Sequence, residues 1–149
     1  MSTNYYFINK KSRELANTKN QEVNHLFTEF QYSLIGLGFN KDEVSDVVRN
    51  TEWKFEIKDV EIHIGKRSIG WKPLFQSNEY YTNMIGMKQW YENNKDEWII
   101  ENEYEEELTW EELHDELLEW TGEKTHIGLS YGNYYMDELG HEWTDHEFS

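Results

Sequence analysis

The chain has 149 residues, a formal net charge of −16 and no cysteine. A chain of this length can bury a core without a covalent staple, and the absence of cysteine excludes disulfides and thiolate metal sites. No apolar run approaches a membrane span, and the first residues lack a signal-peptide pattern. We therefore expect one cytoplasmic domain over residues 1–149 that does not enter a membrane.

The first fifty residues are predicted to form a strand and two helices. Residues 4–8 are rich in aromatic and β-branched side chains, which favours a strand. Apolar side chains then recur at roughly 3.6-residue spacing, which predicts a helix from about Arg13 to Leu34. Asn40 is placed to cap a short second helix.

Three strand candidates follow and predict an antiparallel meander. Residues 53–57 and 60–64 alternate apolar and charged side chains, and residues 71–76 form the third candidate. Pro73 cannot donate to a ladder, so this third strand should lie at an edge or be irregular.

The second half of the chain is predicted to alternate helices and short strands. A helix is expected over residues 83–94 and a buried strand over 98–100. Residues 109–112 fit a capping box that opens a helix ending at Gly122, and residues 137–140 form a turn between two strands. The class predicted is α+β, a mostly antiparallel sheet with about three to four helices on one side.

The charge is concentrated in the C-terminal part. Residues 1–91 hold 12 Lys+Arg and 11 Asp+Glu, whereas residues 92–149 hold 2 and 19. Direct binding to nucleic acid is therefore not expected, because phosphate contacts need cations. The run 101–107 with the following helix could imitate a phosphate backbone and bind a DNA-binding protein, or it could be a solvated surface that only aids solubility.

A cationic stretch at residues 65–70 is the leading candidate for a binding site. Its glycines permit close backbone approach, and a turn of this kind can form an anion-binding nest. Its spacing is not that of a P-loop. Together with a flanking histidine and tryptophan it suits a phosphate plus a base or ribose; the alternative is an ordinary exposed hairpin turn. The candidate ligand-binding residues are His63, Lys66, Arg67, Ser68 and Trp71.

Other constellations favour neither a metal nor catalysis. His141 and His146 lie among acidic residues, but their spacing is not H-E-x-x-H and on a strand they would point to opposite faces. The chain has no cysteine nucleophile and no G-x-S-x-G elbow. We therefore expect no metal and no cofactor. An enzyme is a third alternative that would need a cleft holding a histidine and carboxylates.

The segment His63-Ile64-Gly65-Lys66, followed by Ser68, Gly70 and Trp71, resembles a motif of small uncharacterised phage-encoded proteins, of the form HIGKxSxGW. The similarity extends over roughly residues 60–120, through the Trp90 to Trp98 spacing and the Thr109–Glu112 segment. Many of those proteins carry cysteine pairs before the histidine. This chain has no cysteine, so the resemblance does not imply a zinc site here. Arg67 stands where those proteins commonly have a second serine.

The resemblance implies expression in the cytoplasm of an infected bacterium. Small phage proteins there commonly disarm host defences, so it implies a counter-defence role in immune evasion. The leading hypothesis is a protein that sequesters a small anionic, nucleotide-derived ligand, and such binders often share a pocket in a homo-oligomer. The alternative is an acidic inhibitor that occupies the nucleic-acid-binding groove of a host defence protein.

Overall fold

The computed structural model of the protein describes residues 2–51 and 60–149. The described residues form an α+β fold with one mostly antiparallel sheet, as the sequence predicts. They form two units, one made of residues 2–10 and 60–149 and the other of residues 11–51. A single domain over residues 1–149 stays a prediction.

The larger unit is built on a seven-stranded sheet with the order β5-β4-β1-β2-β3-β7-β6. All neighbouring strands are antiparallel except β3 and β7, which are parallel. The strands are β1 (Ser2–Asn9), β2 (Glu61–Ser68), β3 (Leu74–Gln76), β4 (Trp98–Asn102), β5 (Glu107–Leu108), β6 (Tyr134–Met136) and β7 (Glu142–Thr144).

Two helical segments cover one face of this sheet. Fully buried aromatic and aliphatic side chains of the sheet pack against apolar side chains of the helices. Each fully buried side chain stabilises the folded state by roughly 1.5–3 kcal/mol. The opposite face buries polar side chains. The residues with no exposed surface in the core are Tyr5, Phe7, Ile64, Phe75, Met87, Ile100, Leu113, Leu117 and Trp143.

The helices of this unit begin where the sequence predicts. The first two helices in chain order, α1 (Lys10–Gly36) and α2 (Lys41–Thr51), precede them. Helix α3 (Met84–Asn94) is capped by the Asn83 side chain, which accepts a hydrogen bond from the Gly86 N–H. Helix α4 (Trp110–Leu113) opens with the predicted capping box between Thr109 and Glu112. It continues as a π-helical turn, His114–Leu118, and so ends before Gly122.

The structure corrects the prediction for the strand after Pro73. This strand, β3, begins only after the proline and lies inside the sheet between β2 and β7, so the edge alternative is wrong. The irregular alternative is confirmed, because Trp71 forms only an isolated bridge to Lys124. The strand predicted over residues 53–57 lies outside the described residues.

The smaller unit contains α1 (Lys10–Gly36) from Lys11 onward, followed by α2 (Lys41–Thr51). Gly38 has a φ of +97°, which allows the chain to leave α1. Asn40 caps α2 as predicted: its Oδ1 accepts from the Glu43 N–H at 2.9 Å, and the Asn40 N–H donates back to Glu43 at 3.3 Å. Among the described residues, no helix combines the length and apolar character needed to cross a bilayer.

Candidate ligand-binding residues and acidic surface

Strand β2 runs through most of the predicted cationic loop and ends at Ser68. Only Ile69 and Gly70 form the turn, where Gly70 has a φ of +85° that glycine adopts without steric cost. Successive side chains of a strand point to opposite faces, so Lys66 and Arg67 diverge. The five candidate residues are therefore distributed over three places rather than gathered into one site.

A β-bulge in β2 determines which of the candidate residues lie on the same face of the sheet. In the pairing with β1, Tyr5 lies opposite Gly65 and Tyr6 opposite His63, so β2 has one extra residue between them. Residues 63 and 66 are an odd number apart and would normally point to opposite faces. The extra residue reverses the alternation once, and His63 and Lys66 consequently share the face of the sheet away from the helices.

His63 and Lys66 both contact the last residues of the chain. The ring centroid of Phe148 lies 4.6 Å from that of His63, and Lys66 Nζ lies 5.3 Å from the Phe148 centroid. Lys66 Nζ also donates a hydrogen bond of 3.2 Å to the backbone oxygen of Ser149. This pair of candidates already holds an aromatic ring and an oxygen atom.

The His63 ring is enclosed between two aromatic rings and is neutral at physiological pH. Its other face lies against Tyr6, with centroids 5.2 Å apart, and Nε2 is 3.0 Å from Asn4 Oδ1. Burial lowers the pKa of His63 from 6.5 to about 4, and the Lys66 ammonium contributes in the same direction. The positive charge of this surface therefore comes from the lysine.

Arg67 is engaged in the fold on the helical side of the sheet. Its guanidinium donates a 3.0 Å hydrogen bond to the backbone oxygen of Glu116 and lies 4.7 Å from the Trp120 ring. The π-helical turn makes this carbonyl available, because the Trp120 N–H donates to Leu117 instead. These contacts bind Arg67 to its own chain and remove it from the predicted ligand site.

Ser68 and Trp71 anchor the turn to the segment that follows the π-helical turn. The Ser68 carbonyl accepts hydrogen bonds of 3.1 Å from both Trp120 Nε1 and the Trp71 N–H. The Trp71 ring lies 4.8 Å from that of His126, and a Cβ on Gly122 would lie 2.3 Å from the Trp71 carbonyl. Trp71 is thus packed by its neighbours rather than presented as a free plate.

A polar cavity of about 300 Å³ lies beside this turn, but none of the five candidates lines it. Lys72 and His141 contribute to its wall, together with Trp120. No motif in the sequence marks Lys72, because it is an isolated lysine after a turn. The cavity places one cation and one imidazole within a concave surface next to the predicted site.

The two histidines of residues 141–147 lie in different surroundings. His141 Nδ1 lies 3.6 Å from Asp137 Oδ1, and His146 is exposed at the end of β7. Among the described residues, no group of three or more histidine and acidic side chains is arranged to hold a metal ion.

A buried carboxylate, Glu142, joins β7 to the segment after the π-helical turn. It accepts hydrogen bonds from the Thr125 hydroxyl at 2.5 Å and the His126 N–H at 2.8 Å, and the His126 ring lies 3.0 Å away. Burial raises the pKa of Glu142, but these hydrogen bonds outweigh it and the pKa lies below its usual range. The cluster positions the turn that contains Trp71. Because the Glu142 carboxyl is ionised, it does not act as a proton donor toward the cavity that it lines.

The acidic surface is carried by residues 103–119, which we call the acidic segment. It contains nine carboxylates and no lysine or arginine. All but Glu116 are exposed, and in the described part of the chain none of the nine forms an ion pair with a lysine or arginine. Among the residues that the structure describes, His114 is the only basic side chain within 4.0 Å of these carboxylates, next to Asp115 and Glu119.

The fold holds the acidic segment in a defined shape. The Asn102 side chain accepts hydrogen bonds from the N–H groups of Tyr104 and Glu106, which fixes the turn between β4 and β5. The capping box and the buried Leu113 and Leu117 then hold the helical part on the core. The carboxylates are therefore displayed from an ordered scaffold.

Comparisons of the chain with protein-family models, with curated proteins and with solved structures find no match. The resemblance to phage-encoded proteins stays an expectation that rests on the residues of its motif. Within that motif the structure gives Gly65 a role in the fold, since a Cβ there would lie 2.4 Å from the Leu74 carbonyl.

Proposed function

We propose that the protein acts by binding rather than by catalysis, and that its acidic segment docks on the basic, nucleic-acid-binding surface of another protein. One observation carries this proposal: eight exposed carboxylates stand in an ordered segment of seventeen residues without a lysine or arginine partner. Like charges at such density repel one another, and a cationic partner would relieve that repulsion. The segment would compete with the phosphates that the partner normally binds.

The expected setting follows from the resemblance to phage proteins. We propose that the partner is a DNA- or RNA-binding defence protein of the bacterial host, and that the protein works in the host cytoplasm as a counter-defence inhibitor. Association would be rapid and strongly dependent on salt, because exposed charges are screened beyond a Debye length of about 8–10 Å.

The test is capture of partners from a bacterial extract on immobilised protein. Retained nucleic-acid-binding proteins should be released both by salt and by added duplex DNA. The triple variant Glu105→Gln, Glu106→Gln, Glu107→Gln should lose them. A control with equal charge, Asp96→Asn, Glu123→Gln, Glu138→Gln, should retain them, because its exposed positions lie outside the acidic segment. Equal retention by both variants would contradict the proposal.

A small anionic, nucleotide-derived ligand is the second candidate function. It is supported by the bulge in β2, which brings His63 and Lys66 to one face where they hold a ring and an oxygen. Of the five predicted residues, we propose only these two as ligand contacts. Arg67, Ser68 and Trp71 instead stabilise the fold around it.

Calorimetry against cyclic nucleotides and ADP-ribose tests this second candidate. Lys66→Ala should abolish binding, whereas Lys72→Ala removes a cation of the neighbouring cavity and should leave binding unchanged. Loss in the Lys72 variant alone would move the site into the cavity, and absence of binding by the unaltered protein would refute the candidate. Native mass spectrometry of protein purified from bacteria would report a retained small molecule and the number of subunits together.

A further inference from the structure

We propose that residues 145–149 are a displaceable cover, and that Phe148 and Ser149 occupy the His63–Lys66 surface with a ring against His63 and an oxygen on the Lys66 ammonium, where the ligand places an aromatic ring and a single anionic group. This inference rests on the second candidate function. It adds the class of ligand and the condition under which the surface becomes accessible.

The contacts of the cover define what the surface can hold. The Phe148 ring packs edge-on against the His63 ring and lies under the Lys66 ammonium. The same ammonium binds the Ser149 oxygen at 3.2 Å. A ring and an oxygen that both lie within reach of one cation are the features of a nucleoside monophosphate or of an aromatic amino acid with a free carboxylate.

The number of cations limits the charge of the ligand. Lys66 is the only lysine or arginine that contacts the Phe148–Ser149 pair in the described part of the chain, since Arg67 points to the other face and binds the Glu116 carbonyl. His63 is buried in its neutral form and donates no charge. One phosphate monoester or one carboxylate is therefore favoured over a polyphosphate.

The cover is held by few interactions after β7 ends at Thr144. Residues 145–147 are exposed, and their side chains make one hydrogen bond of 3.2 Å, from Asn133 Nδ2 to Asp145. The His146 N–H donates to Thr144 Oγ1 at 3.1 Å. No strand pairing holds this segment in the described structure. Segments with few buried contacts open at low cost, so a ligand can replace them.

Removal of the Phe148 ring should therefore increase affinity. Loss of a single half-buried ring corresponds to roughly tenfold in an equilibrium constant, or ~1.4 kcal/mol. We expect Phe148→Ala to bind the ligand about tenfold more tightly than the unaltered protein. Tyr131→Ala is the matched control, because this exposed aromatic side chain has no contact with His63 or Lys66.

The closing experiment is a calorimetric titration of these proteins with four probes. AMP and N-acetylphenylalanine each combine a ring with an anionic group, adenosine has the ring alone, and ribose 5-phosphate has the anion alone. The two combined probes should bind at least tenfold more tightly than the single-group probes. Preference between AMP and N-acetylphenylalanine then tells a nucleotide ligand from an aromatic carboxylate.

The outcomes separate this inference from the function on which it rests. Binding that Lys66→Ala abolishes but Phe148→Ala leaves unchanged would overturn the cover and retain the second candidate function. Equal affinity for adenosine and AMP would overturn the ligand class. Absence of binding to all four probes in both the unaltered protein and Phe148→Ala would overturn the inference, whereas the second candidate is decided by its own titration with cyclic nucleotides and ADP-ribose.

Discussion

Asp137 and Met84 join the β6–β7 turn to the first turn of α3: Asp137 Oδ2 accepts a 2.9 Å hydrogen bond from the Met84 N–H. The same oxygen accepts from Trp143 Nε1 at 2.8 Å, and Oδ1 accepts from the N–H groups of Leu139 and His141. One carboxylate thus satisfies four donors from a turn, a strand and a helix end. Burial raises its pKa, but the hydrogen bonds outweigh that effect and the pKa lies below its usual range.

We expect Asp137→Ala to lower the free energy of unfolding by about 2–4 kcal/mol, because it leaves four donors without their acceptor. Asp137→Asn should cost less, since one acceptor oxygen remains. Urea denaturation followed by tryptophan fluorescence measures both. Glu138→Gln, at an exposed neighbouring position, should change stability by less than ~0.5 kcal/mol. An Asp137→Ala protein as stable as this control would refute the role given to the carboxylate.

Arg67→Ala should destabilise the protein by about 1–2 kcal/mol, because it removes the contact with the Trp120 ring and the hydrogen bond to the Glu116 carbonyl. Arg67→Lys keeps the charge but loses the planar stacking, and should recover only part of this. Denaturant titration is again the measurement. Lys66→Ala, whose ammonium contacts an exposed segment, should cost less than ~1 kcal/mol. A larger loss at Lys66 than at Arg67 would contradict the division of the site.

The stability should fall between pH 6.5 and pH 4 because of His63. Its pKa in the folded protein is about 4, against 6.5 for an exposed histidine, so the unfolded chain binds the proton first as the pH falls. The stabilising contribution is complete above pH 6.5 and is lost as the pH approaches 4, by up to about 3 kcal/mol. Stability curves at several pH values measure the slope.

His63→Gln should flatten that slope within the same window. Losses of stability below about pH 4 belong to carboxylates such as Asp137 and Glu142, whose pKa values are lowered in the folded protein. An unchanged slope in His63→Gln would show that the ring is not buried in its neutral form.

Gly122→Ala should destabilise the protein by at least ~2 kcal/mol. A Cβ at this position would lie 2.3 Å from the carbonyl carbon and oxygen of Trp71, so the two backbone segments would have to separate. Gly36→Ala is the matched control, because a Cβ there meets nothing within 4 Å at the end of α1. Thermal unfolding compares the two. Equal melting temperatures would refute the close approach of the two segments.

Local patterns predicted much of the secondary structure because the interactions behind them are local. The caps Asn40 and Thr109, and the turn over residues 137–140, depend on side chains within four residues of the groups they satisfy. The α+β class followed from the same signals. The end of the last helix was predicted too late, because a π-helical turn replaced its final α-helical turn.

The candidate site was less predictable, because its composition depended on contacts far apart in the chain. The β-bulge of β2 opposite Tyr5 and Tyr6 places His63 and Lys66 on the same face of the sheet. Arg67 donates a hydrogen bond to the carbonyl of Glu116, 49 residues away, and Lys66 donates one to the backbone oxygen of Ser149, 83 residues away. No spacing within residues 63–71 contains that information.

The sequence alone determined the α+β class, the positions of the helix caps and the concentration of negative charge after residue 92, since composition and short-range hydrogen bonding are properties of the chain itself. Only the tertiary structure decided where the cations of β2 point, which parts of the chain they contact, and that the carboxylates of residues 103–119 stand without lysine or arginine partners among the described residues. Strand alternation and long-range packing set these directions, and both depend on which strands become neighbours.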